Sequence, residues 1–281
     1  IKNLDWMSEA TKQKSLQKLN SVTKKVGYPA TWKDFSSLVT NDKSLVENIR
    51  NANKFWFRYN IGKLNKPVDR TEWDMTPQTY NAYYNPSNNE IVLPAGIFVI
   101  PGFRDEDIDD AVIYGYAAAS TIGHEITHGF DDEGRQFDDK GNLQNWWLEE
   151  DEKKFNEKAQ KYIDQFDNYV VLDSMHINGK ATLGENIADL GGLVIALDAF
   201  KKTTQYKEGK PIDGLTPLQR YFLGYALGWL GHQRDEELAT RVLTDVHSPA
   251  FLRVNGPFSN MDDFYNAFNI EPGTKMYRTP A

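Results

Sequence analysis

The segment from residue 111 to residue 130 constrains the fold of this chain more than any other. It begins with a run of apolar and small residues, Ala-Val-Ile-Tyr-Gly-Tyr-Ala-Ala-Ala-Ser-Thr-Ile-Gly, which leads directly into His124-Glu-Ile-Thr-His128. A helix that is apolar on nearly every side is a buried helix. Buried imidazoles and a buried carboxylate need partners, and a metal ion would supply them. The alternative, two histidines on a polar surface helix, conflicts with the apolar run.

The spacing within this motif indicates zinc. Residues four apart on an α-helix share a face, so His124 and His128 can point at one ion. Glu125 lies about 100° around the helix, where it can contact a water rather than the metal. Zinc takes imidazole nitrogens in four-coordinate sites, and hydrolases with this motif use the glutamate as general base. The motif therefore predicts metal-assisted hydrolysis.

The third ligand is predicted to be a carboxylate, because the chain has no cysteine and only five histidines. The best candidate is Gly184-Glu-Asn-Ile-Ala-Asp-Leu190, which opens an apolar helix. Glu185 can complete a tetrahedral site with water as the fourth ligand. Asp189, one turn later on the same face, can accept the outer N–H of a ligand histidine. Two carboxylates placed to suit the helix dipole are the alternative, which we would prefer without the histidine motif.

Composition excludes several classes of function. The 281 residues suffice for one large domain or two modest ones. The net charge of -8 repels phosphate backbones, so nucleic acid is not an expected partner. No apolar run approaches the ~20 residues that span a bilayer, so no membrane segment is expected in this chain. The chain opens on Ile1 rather than Met, as expected of a processed product or of the ordered part of a longer protein.

Residues 1–66 are predicted to be mostly helical. Ser8 or Thr11 can cap a first helix, and Pro29 ends that region. A second helix places five residues on one stripe: Leu45, Ile49, Ala52, Trp56 and Tyr59. The lysines of the region are expected to form a solvated face: Lys12, Lys14, Lys18, Lys24 and Lys25. We expect residues 1–70 to be a helical scaffold that packs on a catalytic domain of residues 71–281, in one continuous domain.

After residue 71 the hydrophobic pattern changes from a helical to a strand-like period, which predicts a β-hairpin just before the histidine helix. Residues 79–84 and 90–93 are strand-like, and Asn85-Pro-Ser-Asn-Asn89 between them has turn composition. An edge strand at this place can pair with an extended peptide, and the Asn81 amide can bind the peptide backbone. An ordinary hairpin with Asn81 at a strand end is an equally good interpretation.

Four further polar residues have roles that spacing leaves open. Asp131 and Asp132 follow the motif, where they can orient a ligand histidine or belong to a solvated loop, which the pattern slightly favours. His247 and Arg253 follow a helical region that begins near residue 216. They could stabilise an oxyanion or hold a substrate carbonyl. Spacing alone favours a histidine at a helix end and an arginine in an ion pair.

Five segments, taken in order, resemble the neprilysin family of zinc metallopeptidases, which includes the endothelin-converting enzymes and bacterial oligopeptidase O. They are Asn81-Ala-Tyr-Tyr84, Leu93-Pro-Ala-Gly-Ile97, Gly123-His-Glu-Ile-Thr-His-Gly-Phe-Asp-Asp132, Gly184-Glu-Asn-Ile-Ala-Asp-Leu-Gly-Gly192, and Asp245-Val-His-Ser-Pro249 with Arg253. The resemblance covers most of residues 71–268. It implies a thermolysin-like α+β fold, mostly helical, with a small sheet whose edge strand precedes the zinc helix.

The resemblance also implies a role for each matched residue. One zinc ion would be held by His124, His128 and Glu185. Three residues would act in catalysis: Glu125 as general base and then proton donor, Asp189 by orienting His124, and His247 by stabilising the transition state. Five would bind substrate: Asn81 and Ala82 along its backbone, Arg253 at the carbonyl beyond the cut, and Ile97 and Trp229 around the next side chain.

The activity implied is that of a zinc-dependent endopeptidase that cuts short peptides before a hydrophobic residue. Whole members of the family add an N-terminal lid, which this chain does not match and which would be its partner in a longer protein. One alternative is a peptidase-like module that binds peptides without cutting them. Another is a structural zinc site, although such sites usually have four protein ligands. The lack of cysteine suggests a bacterial relative, expected outside the cytoplasm, with the cytoplasm as alternative.

Overall fold

The computed structural model describes residues 1–279. Its helices are α1 (Glu9–Ser21), α2 (Leu45–Ile61), α3 (Asp110–Ile113), α4 (His124–His128), α5 (Glu149–Asp167), α6 (Leu183–Phe200), α7 (Thr204–Glu208), α8 (Pro217–Leu227), α9 (Asp235–Thr244), α10 (Ala250–Phe258) and α11 (Asp262–Phe268). Its strands are β1 (Thr23–Gly27), β2 (Tyr83–Asn85), β3 (Glu90–Pro94), β4 (Val170–Leu172) and β5 (Met175–His176). A π-helical stretch, Tyr114–Gly123, joins α3 to α4, and we call residues 110–128 the central helix.

The main sheet has three strands in the order β1-β3-β2. The middle strand β3 is buried along its length, with β1 parallel on one side and β2 antiparallel on the other. The predicted hairpin before the central helix is confirmed, but its first strand is shorter than the predicted residues 79–84. The Asn81 side chain accepts the N–H of Ala82 at 2.9 Å, which removes that donor from a strand ladder.

Helix α1 begins at Ser8, whose hydroxyl accepts the N–H of Thr11, so the first of the two predicted caps is correct. The strand β1 was not predicted. Two lysines of this region are buried rather than solvated: Lys18 is 1% exposed, and Lys25 forms an ion pair of 2.8 Å with Glu90 across the sheet. The prediction of a solvated face is therefore wrong for Lys18 and Lys25, because their ammonium groups bind partners inside the fold.

Helix α2 forms as predicted, but none of its residues is fully buried. The stripe predicted from its sequence starts with Leu45 and Ile49, which are 75% and 51% exposed. Only the second half of the stripe finds packing: the rings of Trp56 and Tyr59 contact each other, and Trp56 also contacts Phe35. Much of the apolar surface of α2 is therefore solvent-exposed in this chain.

The core lies where the central helix packs against α6 and α8. Four small residues of the central helix are fully buried: Ala111, Gly115, Ala119 and Gly123. Much of the remaining surface is half-buried, so the prediction of burial on nearly every side holds for one face only. At Gly123, an added Cβ would lie 2.8 Å from the Cα of Gly192. This close crossing sets the histidines of α4 opposite the first turns of α6.

Candidate metal centre and substrate cleft

Three side chains converge where α4 faces the start of α6. The Nε2 atoms of His124 and His128 lie 3.0 Å apart. The Glu185 carboxylate lies 3.3 Å from the first nitrogen and 3.6 Å from the second. Ligands at about 2.0–2.1 Å from a tetrahedral zinc would be separated by about 3.3 Å. The donor types and spacings therefore fit a zinc ion.

Both histidines are oriented through their other ring nitrogen. The Nδ1 atom of His124 lies 2.9 Å from Asp189, and that of His128 lies 2.6 Å from Asp131. A carboxylate at Nδ1 fixes the tautomer and directs the Nε2 lone pair toward the ion. Of the two acidic-loop residues, Asp131 therefore makes the orienting contact. Asp132 makes none, and burial beside Asp131 raises the pKa of its carboxyl to about 6.

Arg253 holds Asp189 in place. Its Nε and Nη2 atoms donate to the two carboxylate oxygens at 2.8 and 2.7 Å, and its guanidinium lies 4.0 Å from the ring of Trp229. Burial alone would raise the pKa of Asp189, but Arg253 and His124 outweigh it and lower the pKa to about 2. Asp189 is therefore a permanent anion behind His124. Arg253 forms the ion pair that spacing favoured, and its Nη2 also reaches Glu185 at 3.4 Å.

Glu125 lines the same cleft but is not one of the three grouped ligands. It is 8% exposed, and burial raises the pKa of its carboxyl despite the two nearby histidines. A raised pKa favours a carboxyl group that both accepts and returns a proton, as a general base must. Glu125 thus borders the metal position without joining the three grouped side chains.

His247 reaches the centre from the loop between α9 and α10. Its Nε2 atom lies 3.3 Å from Glu185, and its Nδ1 atom lies 2.7 Å from Asp245. Asp245 also accepts the backbone N–H of His247 at 2.9 Å and bonds Arg241 at 2.8 Å. Burial would raise the pKa of Asp245, but these bonds lower it to about 2. His247 therefore faces the metal position with an anion behind it.

A buried hydrogen bond ties this loop to α6. Ser248 donates to the Asn186 side chain at 2.8 Å, and the two residues are 2% and 1% exposed. Sequence reasoning assigned no role to Asp245, Asn186 or Ser248. Asp245 carried one usable signal, since an aspartate two residues before His247 can accept that residue's backbone N–H.

The metal position lies in a cleft of about 450 Å³. Asn81, Ala82, Arg253 and Trp229 line it together with the metal ligands. Ile97 is placed differently: it packs against a small apolar cluster that includes Ala82 and Leu93, and it is not among the residues that line this cleft. Edge strand β2 follows Asn81 and Ala82 directly, so an extended peptide can lie along it in the cleft.

Residues 81–281 match the family model of peptidase family M13. The chain belongs to this family. It is 39% identical over its whole length to a neutral endopeptidase of Lactobacillus helveticus, and 38% identical over 98% of its length to an endothelin-converting enzyme homolog of Locusta migratoria. These relatives confirm the resemblance to neprilysin-type metallopeptidases.

Solved structures show the same fold. The chain superimposes on the zinc metalloprotease Zmp1 of Mycobacterium tuberculosis, solved with an inhibitor, with a TM-score of 0.92, 42% identity and 99% of its length covered. PepO of Lactobacillus rhamnosis gives a TM-score of 0.85 and 36% identity over 99% of the chain. The predicted α+β class is therefore confirmed.

The chain spans about two fifths of these proteins: 41% of the Lactobacillus helveticus enzyme, 39% of the locust protein and 43% of each solved chain. Among residues 1–279, no helix combines the length and apolar character needed to cross a bilayer.

Proposed function

We propose that this chain carries the catalytic centre of a zinc-dependent endopeptidase that hydrolyses short peptides. The observation that carries the proposal is the convergence of two imidazoles and a carboxylate at 3.0, 3.3 and 3.6 Å. Both imidazoles are backed by carboxylates, as expected of ligands held ready for one ion. Membership of peptidase family M13 supports peptide hydrolysis as the reaction at this site.

Different residues of the chain would bind the metal, transfer the proton and stabilise the oxyanion. His124, His128 and Glu185 would hold a zinc ion, which would supply Lewis acidity and lower the pKa of a bound water toward about 7. Glu125 takes the proton from the attacking water and passes it to the leaving amine. His247, supported by Asp245, donates to the oxyanion that develops on the carbonyl.

Substrate is held on both sides of the cut. Asn81 and Ala82, beside the edge strand, bind the substrate backbone. Arg253 reaches the carbonyl beyond the cut with Nη1, which makes no hydrogen bond within residues 1–279. Trp229, stacked on Arg253, borders the space for the next side chain and favours a hydrophobic residue there. For Ile97 the same role stays a prediction, since it packs against the cluster that includes Ala82 rather than lining the cleft.

The exposed face of α2 supports a lid as partner. Val46 and Ile49, about one turn apart, are 65% and 51% exposed, and Phe57, about two turns further along the helix, is 67% exposed. Large apolar side chains exposed in this number on one helix favour a protein contact. We propose that an N-terminal lid covers this face in a longer protein, with residues 1–70 as the scaffold between lid and catalytic domain. Location outside the cytoplasm stays a prediction.

Cleavage of a quenched fluorescent peptide tests the proposed function. The zinc-loaded chain is compared with Glu125→Gln, and with Glu149→Gln as a control that loses a surface carboxylate at the start of α5. We expect Glu125→Gln to bind zinc normally and to lose at least 10³-fold in kcat, by analogy with the loss of an essential proton acceptor. A chelator should abolish cleavage by the parent chain.

The same assay separates the alternatives. Zinc binding and peptide binding without cleavage, in this chain and in a longer protein that includes the lid, would indicate a peptide-binding module. Near-normal cleavage by Glu125→Gln would refute the proposed role of Glu125. Cleavage that persists after zinc is removed would refute the metal mechanism.

A further inference from the structure

Lys18 is a fully buried cation outside the metal centre. It lies in α1 and is 1% exposed. Its ammonium donates to the backbone carbonyls of Gly134 and Phe137 at 2.6 and 2.8 Å. Burying an ammonium group costs free energy, so the groups that surround Lys18 must offset the loss of its hydration.

No carboxylate lies within salt-bridge distance of Lys18 among residues 1–279. Three aromatic rings surround the ammonium instead, with centroids at 5.6–5.9 Å: Tyr84, Phe130 and Trp146. Burial lowers the pKa of Lys18 to about 8, although Asp131 and Asp138 act in the opposite direction. The group is therefore charged at neutral pH, and its charge is directed at the loop that follows the central helix.

That loop carries the carboxylate behind His128. The N–H of Gly134 donates to Asp131 at 2.6 Å, and the other carboxylate oxygen of Asp131 lies 2.6 Å from Nδ1 of His128. The carbonyl of Gly134 that accepts from Lys18 and the N–H that donates to Asp131 belong to neighbouring peptide groups, so no single chain of hydrogen bonds joins Lys18 to Asp131. Lys18 therefore acts on Asp131 by fixing the position of the Gly134 backbone.

The loop is pressed against the end of the central helix. A Cβ added at Gly134 would lie 1.7 Å from the carbonyl oxygen of His128, so only glycine fits there. Lys18 also reaches the cleft wall, since its backbone carbonyl accepts from Asn89, whose side chain accepts from Tyr84 at 2.7 Å. One residue of α1 therefore contacts both the loop behind the metal centre and the hairpin beside the cleft.

We propose that Lys18 is a positioning residue for the metal centre: by clamping the Gly134–Phe137 loop it holds Asp131 against His128 and so sets the zinc affinity of the site. The inference rests on the proposed zinc site. It gives α1, and with it the N-terminal part of this chain, a role in metal binding that no motif of the sequence indicates.

Zinc affinity, measured by competition with a chromogenic chelator, tests the proposal. Lys18→Met keeps the length and apolar stem of the side chain but removes the donors and the charge. We expect its zinc affinity to fall severalfold and by no more than about 10–100-fold, the usual effect of losing the outer partner of a ligand, here Asp131. Lys12→Met is the matched control: it removes a charge from the same helix, at a lysine whose ammonium makes no hydrogen bond or ion pair within residues 1–279, and should stay within twofold of the parent.

A double-mutant cycle distinguishes positioning from general destabilisation. Asp131→Asn removes the negative charge that the loop holds against His128. If Lys18 acts through Asp131, the double variant loses little more affinity than Asp131→Asn alone. Additive losses, or an unchanged affinity in folded Lys18→Met, would overturn the proposal. A parent chain that binds no zinc would instead overturn the proposed function.

The parent chain provides a second measurement should Lys18→Met fail to fold. Hydrogen exchange at the Gly134 amide reports on its bond to Asp131. Zinc binding should slow this exchange several-fold if loop and metal centre are coupled. Exchange that is the same with and without zinc would contradict the coupling.

Discussion

Gly192→Ala tests how the crossing of α6 and the central helix sets the metal centre. A Cβ at this position would lie 2.2 Å from the carbonyl oxygen of Ala119 and 2.8 Å from the backbone nitrogen of His124. Ordinary carbon–oxygen contacts begin near ~3.3 Å, so the two helices must separate by about 1 Å. The obstructing atoms are backbone, and no rotamer change relieves the clash.

The separation would act directly on the ligand set, because Glu185 lies on α6 and both histidines lie on α4. Metal–ligand distances tolerate about ±0.2 Å, far less than this shift. We expect Gly192→Ala to lower zinc affinity at least tenfold. We also expect the metal-free protein to lose about 1–3 kcal/mol in free energy of unfolding, the usual cost of overpacking.

Two further glycine variants provide a comparison, one with an expected smaller effect and one with no expected effect. An added Cβ at Gly191 would meet the Thr127 side chain at 2.5 Å rather than backbone atoms, so Gly191→Ala should have a smaller effect on the separation of the helices. Gly231→Ala meets no atom within 4 Å and serves as the control. Chelator competition measures zinc affinity, and denaturant unfolding in chelator measures stability. Equal zinc affinity in Gly192→Ala and Gly231→Ala would refute the argument.

Three further predictions concern the groups around the cleft. Asp245→Asn removes the anion behind His247, so kcat should fall about tenfold or more with KM little changed; steady-state kinetics showing a change in KM alone would contradict it. Ser248→Ala leaves the buried Asn186 carbonyl oxygen without its donor. It should lower the free energy of unfolding by about 1–2 kcal/mol in denaturant titrations, with an unchanged value counting against the argument. Folding lowers the pKa of Lys18 from 10.5 to about 8, so the unfolded chain binds more protons between these values. Relative to Lys18→Met, the free energy of unfolding of the parent chain should therefore rise with pH across this window, by no more than about 3 kcal/mol. The same pH dependence in both proteins would rule this out.

Much of the metal centre could be predicted from the sequence because its residues lie close together within two helical segments. The spacing of His124 and His128 fixes their common face, and the spacing of Glu185 and Asp189 does the same on α6. The link between the two helices is long-range. The sequence indicated it only through the chemical need for a third ligand and through the resemblance to the neprilysin family.

Other features could not be predicted because they depend on which groups meet in three dimensions. Lys18 looks like any surface lysine until the carbonyls of Gly134 and Phe137 are placed around it. The stripe on α2 has the periodicity of a packed face, but periodicity cannot show whether the partner surface belongs to the same chain. Asp131 was recognised as a candidate beside Asp132, and only the fold determined which of them contacts His128.

X-ray absorption at the zinc edge, on the zinc-loaded chain, tests the central claim most directly. It should show one equivalent of four-coordinate zinc, with two imidazole nitrogens at about 2.0–2.1 Å, one carboxylate oxygen and one water oxygen, and no sulfur. Glu185→Ala should lose the carboxylate contribution while both imidazole signals remain. A spectrum of the parent chain with fewer than two imidazoles, or one left unchanged by Glu185→Ala, would contradict the assignment of His124, His128 and Glu185 as the metal ligands.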